Sequence, residues 1–186
     1  MRQTLQPQWE PAIRRKNRGF SLIELLIVVA IILIITAIAV PNFMRARMAA
    51  NESSAAENLR TITTASVVYN TTWDNGFPPS LASMGGSSGA PATCDAAILI
   101  DPILAASPSQ KSGYSFTYAG QYGTVTAPPG CSAQGFNGYL VSAVPIFGGV
   151  TGTRSFCSDT PGVIHYDLTG TPPSTASACD ALPGLQ

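Results

Sequence analysis

The sequence predicts an α+β fold in which one long amino-terminal helix packs on a small antiparallel β-sheet head, and three observations carry that prediction. Leu22 to Val40, LIELLIVVAIILIITAIAV, is a 19-residue apolar run with one charge, Glu24. From Phe43 to Tyr69 the chain holds neither Pro nor Gly, and Ala55, Leu59, Ile62, Ala65, Ser66 and Tyr69 recur at helical spacing. From Trp73 onward the composition turns to Gly, Pro, Ser and Thr around short β-rich runs, the pattern of strands separated by turns.

The apolar run comes first. As a helix it spans about 28 Å, the thickness of a bilayer core. A secretory signal has an apolar region of only about 7–15 residues followed by a small-residue cleavage site, whereas this run leads into Pro41-Asn42-Phe43, so a spanning helix is the better reading. Arg14-Arg15-Lys16-Asn17-Arg18 sits directly before it, which by the positive-inside rule keeps the amino terminus cytoplasmic and sends everything after Phe43 across the membrane. Glu24 is anomalous there. A carboxylate within an apolar helix costs about 2.5–3.5 kcal/mol on the insertion scale, so it needs a partner. Either it snorkels to the interface near Arg18, or a cation comes from another subunit or from a newly made amino terminus.

Pro41 removes one helical hydrogen bond and predicts a kink or a locally melted turn. Beyond it the amphipathic stripe puts Leu59, Ile62 and Tyr69 against a domain and leaves Glu52, Glu57 and Arg60 on the exposed face. From Phe20 to Asn70 this makes one helix of about 50 residues, roughly 75 Å long. Asn70-Thr71-Thr72 and Trp73-Asp74-Asn75-Gly76-Phe77-Pro78-Pro79 end it.

In the head, Pro79–Met84 reads as a short helix, Gly85-Gly86-Ser87-Ser88-Gly89 as a linker, and Cys94–Ala106 as a helix carrying Ala97, Ile98, Leu99, Ile103 and Leu104. Four strands follow at Tyr114–Tyr118, Tyr139–Val144, Arg154–Cys157 and Val163–Tyr166. Asp159-Thr160-Pro161-Gly162 is the turn that joins the last two as a hairpin.

Composition limits the function. The 186 residues hold 10 basic and 10 acidic side chains, with 11% charged and 45% hydrophobic, which excludes a disordered polyelectrolyte and gives no bulk electrostatic case for nucleic-acid binding. Zero net charge is a sum of unlike parts. Residues 1–19 carry five basic side chains against Glu10, a balance of +4, and the remaining 167 residues carry five against nine, a balance of −4.

Cys94, Cys131, Cys157 and Cys179 all follow the membrane helix, on the side where thiols oxidise. Three connectivities are open to four cysteines, and proximity favours Cys94 with Cys131 and Cys157 with Cys179. A zinc site would want a CxxC pair or more than the single His165. Gly85 to Gly89 formally matches G-x-S-x-G around Ser87, but no strand precedes it and no helix immediately follows, so it is read as linker. His165, alone on its strand, is read as a partly exposed surface residue. Asp95, Asp101, Asp159 and Asp167 are candidates for calcium but show no EF-hand-like spacing, so no cofactor or metal is expected.

Arg14-Arg15-Lys16-Asn17-Arg18-Gly19-Phe20-Ser21-Leu22-Ile23-Glu24-Leu25-Leu26-Ile27-Val28 resembles the processing and methylation signature of type IV pilins and type II secretion pseudopilins. The resemblance implies the pilin fold, cleavage after Gly19 by a membrane-embedded aspartyl prepilin peptidase, and N-methylation of the new terminus at Phe20. It implies that the Glu24 carboxylate neutralises the Phe20 amine of an adjoining subunit during filament assembly. The implied division is a cleaved basic leader at 1–19, a transmembrane and filament-core helix at 20–44, its amphipathic continuation at 45–72 and an extracytoplasmic head at 73–186. The 19-residue leader departs from the shorter leaders usual for pilins that begin with Phe. A weaker likeness links Thr153-Arg154-Ser155-Phe156 through Gly162-Val163-Ile164 to the closing hairpin of some bacterial pilin-like proteins.

The implied protein is a structural subunit and not an enzyme. It would be a single-pass prepilin of the bacterial inner membrane with a periplasmic head, and then part of a homo-oligomeric filament. The implied partners are the peptidase and methylase, an assembly platform and ATPase, inner-membrane lipid and other copies of the chain. A secretion pseudopilin is the alternative, and some of those hold calcium in a loop. The disulfide-closed carboxyl-terminal loop and the absence of a calcium-loop pattern favour the pilus. A plain membrane-anchored periplasmic binding domain is the rival from another class, and it would have no use for Glu24.

Overall fold

The structure is a computed structural model that describes residues 19–185. The basic cluster Arg14–Arg18 and the leader before Gly19 lie outside the described residues. Helix α1 runs Leu22–Trp73, 52 residues, and helical residues continue through Pro41 without a melted turn. A proline there forfeits one backbone hydrogen bond of a ladder that its neighbours keep.

The chain divides into two compact units at Pro41 and Asn42. Among the described residues of the first, every side chain is exposed, Leu22 to Val40 included. Thr36 turns its hydroxyl inward along the helix, donating to the Ile32 carbonyl at 2.9 Å, which satisfies the one hydroxyl of the apolar run beyond Ser21.

In the second unit the rest of α1 lies over the sheet with Ala55, Leu59, Ile62, Ala65, Ser66 and Tyr69 buried, the stripe expected from the sequence. Five strands form one antiparallel meander in chain order: β1 Ser109–Lys111, β2 Tyr114–Thr124, β3 Phe136–Pro145, β4 Ser155–Asp159 and β5 Ile164–Asp167. The core joins Leu59, Ile62 and Tyr69 of the helix to Tyr114, Phe116, Tyr139, Val141, Phe156 and Ile164 of the sheet. Tyr118 and Tyr139 stack across β2 and β3 with ring centres 5.5 Å apart. The buried Asn75 locks the helix end in place: its amide donates to Tyr69 Oη at 3.2 Å and to the Ala133 carbonyl at 3.0 Å, and it accepts from the Gly135 N–H at 3.2 Å.

Several expectations are corrected. The sheet has five strands, because β1, the polar edge Ser-Gln-Lys, carries no apolar alternation to betray it. Strands β2 and β3 are longer than expected and meet at an irregular register between Gln121 and Thr124, where Tyr122 and Gly123 both take positive φ. Cys94–Ala106 is not a helix. Its middle is an extended strap whose N–H groups at Ala97, Ile98 and Leu99 donate to the carbonyls of Ser83, Gly85 and Met84 at 2.7–2.8 Å, and Ile98 has φ +54°. Only α3, Pro102–Ala105, is helical, started by Asp101, whose Oδ1 accepts from the Ile103 and Leu104 N–H groups.

Helix α2 is Leu81–Met84, capped by Ser80, and Gly85 closes it by donating to the Ala82 carbonyl. Ser87 therefore follows a helix on an exposed loop, the reverse of the strand-to-helix turn that a G-x-S-x-G nucleophile requires. Asp159 and Gly162 close the expected turn, Gly162 N–H donating to the Asp159 carbonyl at 2.8 Å. Beyond β5 the chain returns through α4, Ala176–Asp180, and lays its end along β5: Tyr166 donates to the Pro183 carbonyl and Leu185 to that of Ile164. That return covers the sheet edge and buries His165, which was expected to be partly exposed.

Candidate assembly site

The residues singled out at the amino terminus lie together on one end of α1. Gly19 and Phe20 precede the helix in non-helical backbone, Gly19 has open space around its Cα, and Phe20 is 84% exposed. Ser21 and Glu24 begin the helix as one half of a capping box: the Ser21 N–H donates to Glu24 Oε2 at 2.9 Å. The Ser-x-x-Glu spacing of Ser21 and Glu24 is the sequence signal for this cap. Within one chain the carboxylate therefore ties down one of the four unpaired amides that open any helix. Glu24 remains exposed, as do all its apolar neighbours through Val40. The candidate span needs a cover of lipid or of other helices, because an apolar surface of that size is not stable in water.

A second polar site ties α1 to the head. Glu52, expected on the exposed face, is buried. Its Oε1 accepts from Thr153 N–H (2.8 Å) and Oγ1–H (2.9 Å) and from Arg154 N–H (3.3 Å), and its Oε2 accepts from Arg154 Nε at 2.7 Å and forms an ion pair with Nη2, also at 2.7 Å. Burial pushes its carboxyl upward, but the Thr153 amide and the Arg154 guanidinium outweigh that and hold it below the usual carboxylate range. Glu57 and Arg60 are exposed, as expected, and pair with each other at 3.2 Å.

The cysteines join as Cys94–Cys131 and Cys157–Cys179, with Cα separations of 5.5 and 6.0 Å. The first bonds the strap to the loop between β2 and β3, the second bonds β4 to α4. His165 points Nδ1 at the Leu182 carbonyl, 2.7 Å away, and so holds the same returning segment. Asp159 is 1% exposed, and burial together with the neighbouring Asp180 carboxylate pushes it up to about 6. The four aspartates weighed for calcium are dispersed: Asp95 accepts from Ser132, Asp101 pairs with Lys111 at 2.6 Å, and Asp167 accepts from Thr169. Among the described residues no group of three or more His, Cys, Asp or Glu side chains is placed to hold a metal ion.

Residues 14–40 match the family model of the prokaryotic N-terminal methylation motif. The chain is 54% identical over 50 residues, 27% of its length and 23% of the relative's, to the type IV major pilin protein PilA of Myxococcus xanthus. It is 54% identical over 39 residues, 21% of its length and 30% of the relative's, to the type IV wide pilus major component PilA4 of Thermus thermophilus. The matched segment thus spans less than a third of either relative. No solved structure matches the chain. The methylation motif and the apolar helix that follows it are thus similar to the amino-terminal segments of type IV pilins.

Proposed function

We propose that the chain is a prepilin, cut after Gly19, N-methylated on Phe20 and polymerised into a type IV pilus-like filament. Before processing, Leu22–Val40 spans the inner membrane with the basic leader in the cytoplasm and the head in the periplasm. Afterwards the same apolar surface packs against that of other copies in the filament core. The observation that carries this reading is a helix start that holds one acid, Glu24, amid wholly exposed apolar side chains and inside a methylation motif. In lipid that acid is a burden of a few kcal/mol, and the amine freed at Phe20 of a neighbouring subunit relieves it. The partners that follow are a prepilin peptidase and methylase, an assembly platform and its ATPase. The named relatives are pilus components, which favours a pilus over a secretion pseudopilus.

Glu24→Gln is the discriminating variant. Its amide oxygen still accepts from the Ser21 N–H, so the helix cap survives while the charge is lost. Filaments should be lost or sharply reduced in cells carrying Glu24→Gln, with the chain still inserted and cut after Gly19. Filaments in normal number would refute the charge-pairing role.

A further inference from the structure

Four of the large apolar side chains that the head exposes gather at one end of the sheet. β3 finishes at Pro145, β4 starts at Ser155 and β5 finishes at Asp167, so the loop between β3 and β4 and the segment after β5 leave the same edge. The loop carries Ile146, Phe147 (65% exposed) and Val150 (55% exposed), and the segment after β5 carries Leu168 (72% exposed). At the opposite end Tyr122 and Val163 are exposed, on separate segments of the chain. Within the second unit, residues 43–51 of α1 lie at the same end. Asn51 Nδ2 donates to the Thr151 carbonyl at 2.9 Å, and one cleft is lined by Phe43, Met44, Arg47, Asn51, Val150 and Thr151.

Phe43 and Met44 are exposed and follow the apolar run within one helical turn, and the exposed Arg45 and Arg47 come next. Of the acids near this end, Glu52 is charge-paired with Arg154, while Asp167 accepts from Thr169, a neutral partner that offsets none of its charge. Aromatic and aliphatic side chains beside two arginines that outweigh the single charge of Asp167, at the end of an apolar span, form the composition that settles in the headgroup layer of an anionic bilayer.

We propose that, before assembly, this end of the head rests on the membrane surface, with Phe147, Val150 and Leu168 at headgroup depth and Arg45 and Arg47 on lipid phosphates. The proposal rests on the reading of Leu22–Val40 as a membrane span. It gives the prepilin a second, shallow membrane contact that the head must leave when the subunit is extracted.

The test uses the full chain in vesicles of phosphatidylethanolamine and phosphatidylglycerol, in a W9F/W73F background, with single tryptophans introduced by F147W, L168W, V163W or I31W. Lipids brominated near the headgroup end of the acyl chain quench tryptophans at that depth. Quenching of F147W and L168W should exceed that of V163W by about twofold or more, with I31W quenched by lipids brominated deeper. F147W and L168W quenched no more than V163W, beside a quenched I31W, overturn the proposal and leave the span intact. An unquenched I31W overturns both. A blue-shifted but unquenched F147W, whose shift disappears as protein is diluted in lipid, gives the face to a second copy and overturns the proposal.

Discussion

Replacing Glu52 by Ala removes the carboxylate on which four donated hydrogen bonds and an ion pair converge, from Thr153 and Arg154. Breaking a buried ion pair by deleting one partner costs about 3–5 kcal/mol. Arg154 keeps some water, since its side chain is 36% exposed, and it lies 5.7 Å and 5.6 Å from the ring centres of Phe156 and Tyr166. That residual solvation discounts the loss to about 2–4 kcal/mol. Glu52→Gln keeps an acceptor for Thr153 and should lose about 1–2 kcal/mol. The assay is urea unfolding of the full chain in detergent, followed by near-ultraviolet circular dichroism of the buried tyrosines. A double-mutant cycle with Arg154→Met should return a coupling of about 1–3 kcal/mol. The pH dependence has a definite sign. The Glu52 carboxyl is held below its usual 4.5 in the folded chain, so its contribution is complete above 4.5 and is lost as pH falls through the lowered value. A Glu52→Ala protein within about 0.5 kcal/mol of the parent, the spread of ordinary surface substitutions, would refute the reasoning.

Asp159 behaves in the opposite sense. Its carboxyl lies at about 6 against an ordinary 3.8, so the folded state binds the extra proton, and stability falls as pH rises between those values. Asp159→Asn should therefore stabilise the head by about 1–3 kcal/mol at pH 8 and flatten that slope; thermal melts at pH 4 and pH 8 check it. Replacing both members of a disulfide by Ser should cost about 3 kcal/mol for Cys157 and Cys179, 22 residues apart, and about 4 kcal/mol for Cys94 and Cys131, 37 apart, read by urea midpoints. Gly135→Ala would drive a methyl group into the backbone carbonyls of Asn75 and Phe77 and should cost about 2–4 kcal/mol, whereas Gly148→Ala, in open space, should cost under about 1 kcal/mol.

What the sequence discloses follows from how local each signal is. The stripe from Ala55 to Tyr69 is legible because an uninterrupted period of 3.6 residues has one physical meaning. The turn at Asp159 to Gly162 is legible because Pro and Gly adjoin where the chain must reverse. The methylation motif around Gly19, Phe20 and Glu24 is legible because it is contiguous. The features misread depend on partners distant in sequence. Glu52 looks like a surface acid until Thr153 and Arg154, about a hundred residues on, come to meet it. The strap after Cys94 clusters apolar residues as a helix does, but its hydrogen bonds go to the end of α2. His165 is buried by residues 182–185, which carry little pattern of their own.

The most direct test of the prepilin reading is intact-mass and peptide mass spectrometry of the amino terminus of the chain purified from cells that assemble the filament. The prediction is a chain that begins at Phe20 and carries one methyl group on its amine. An intact Met1, or a terminus near Pro41, would contradict it.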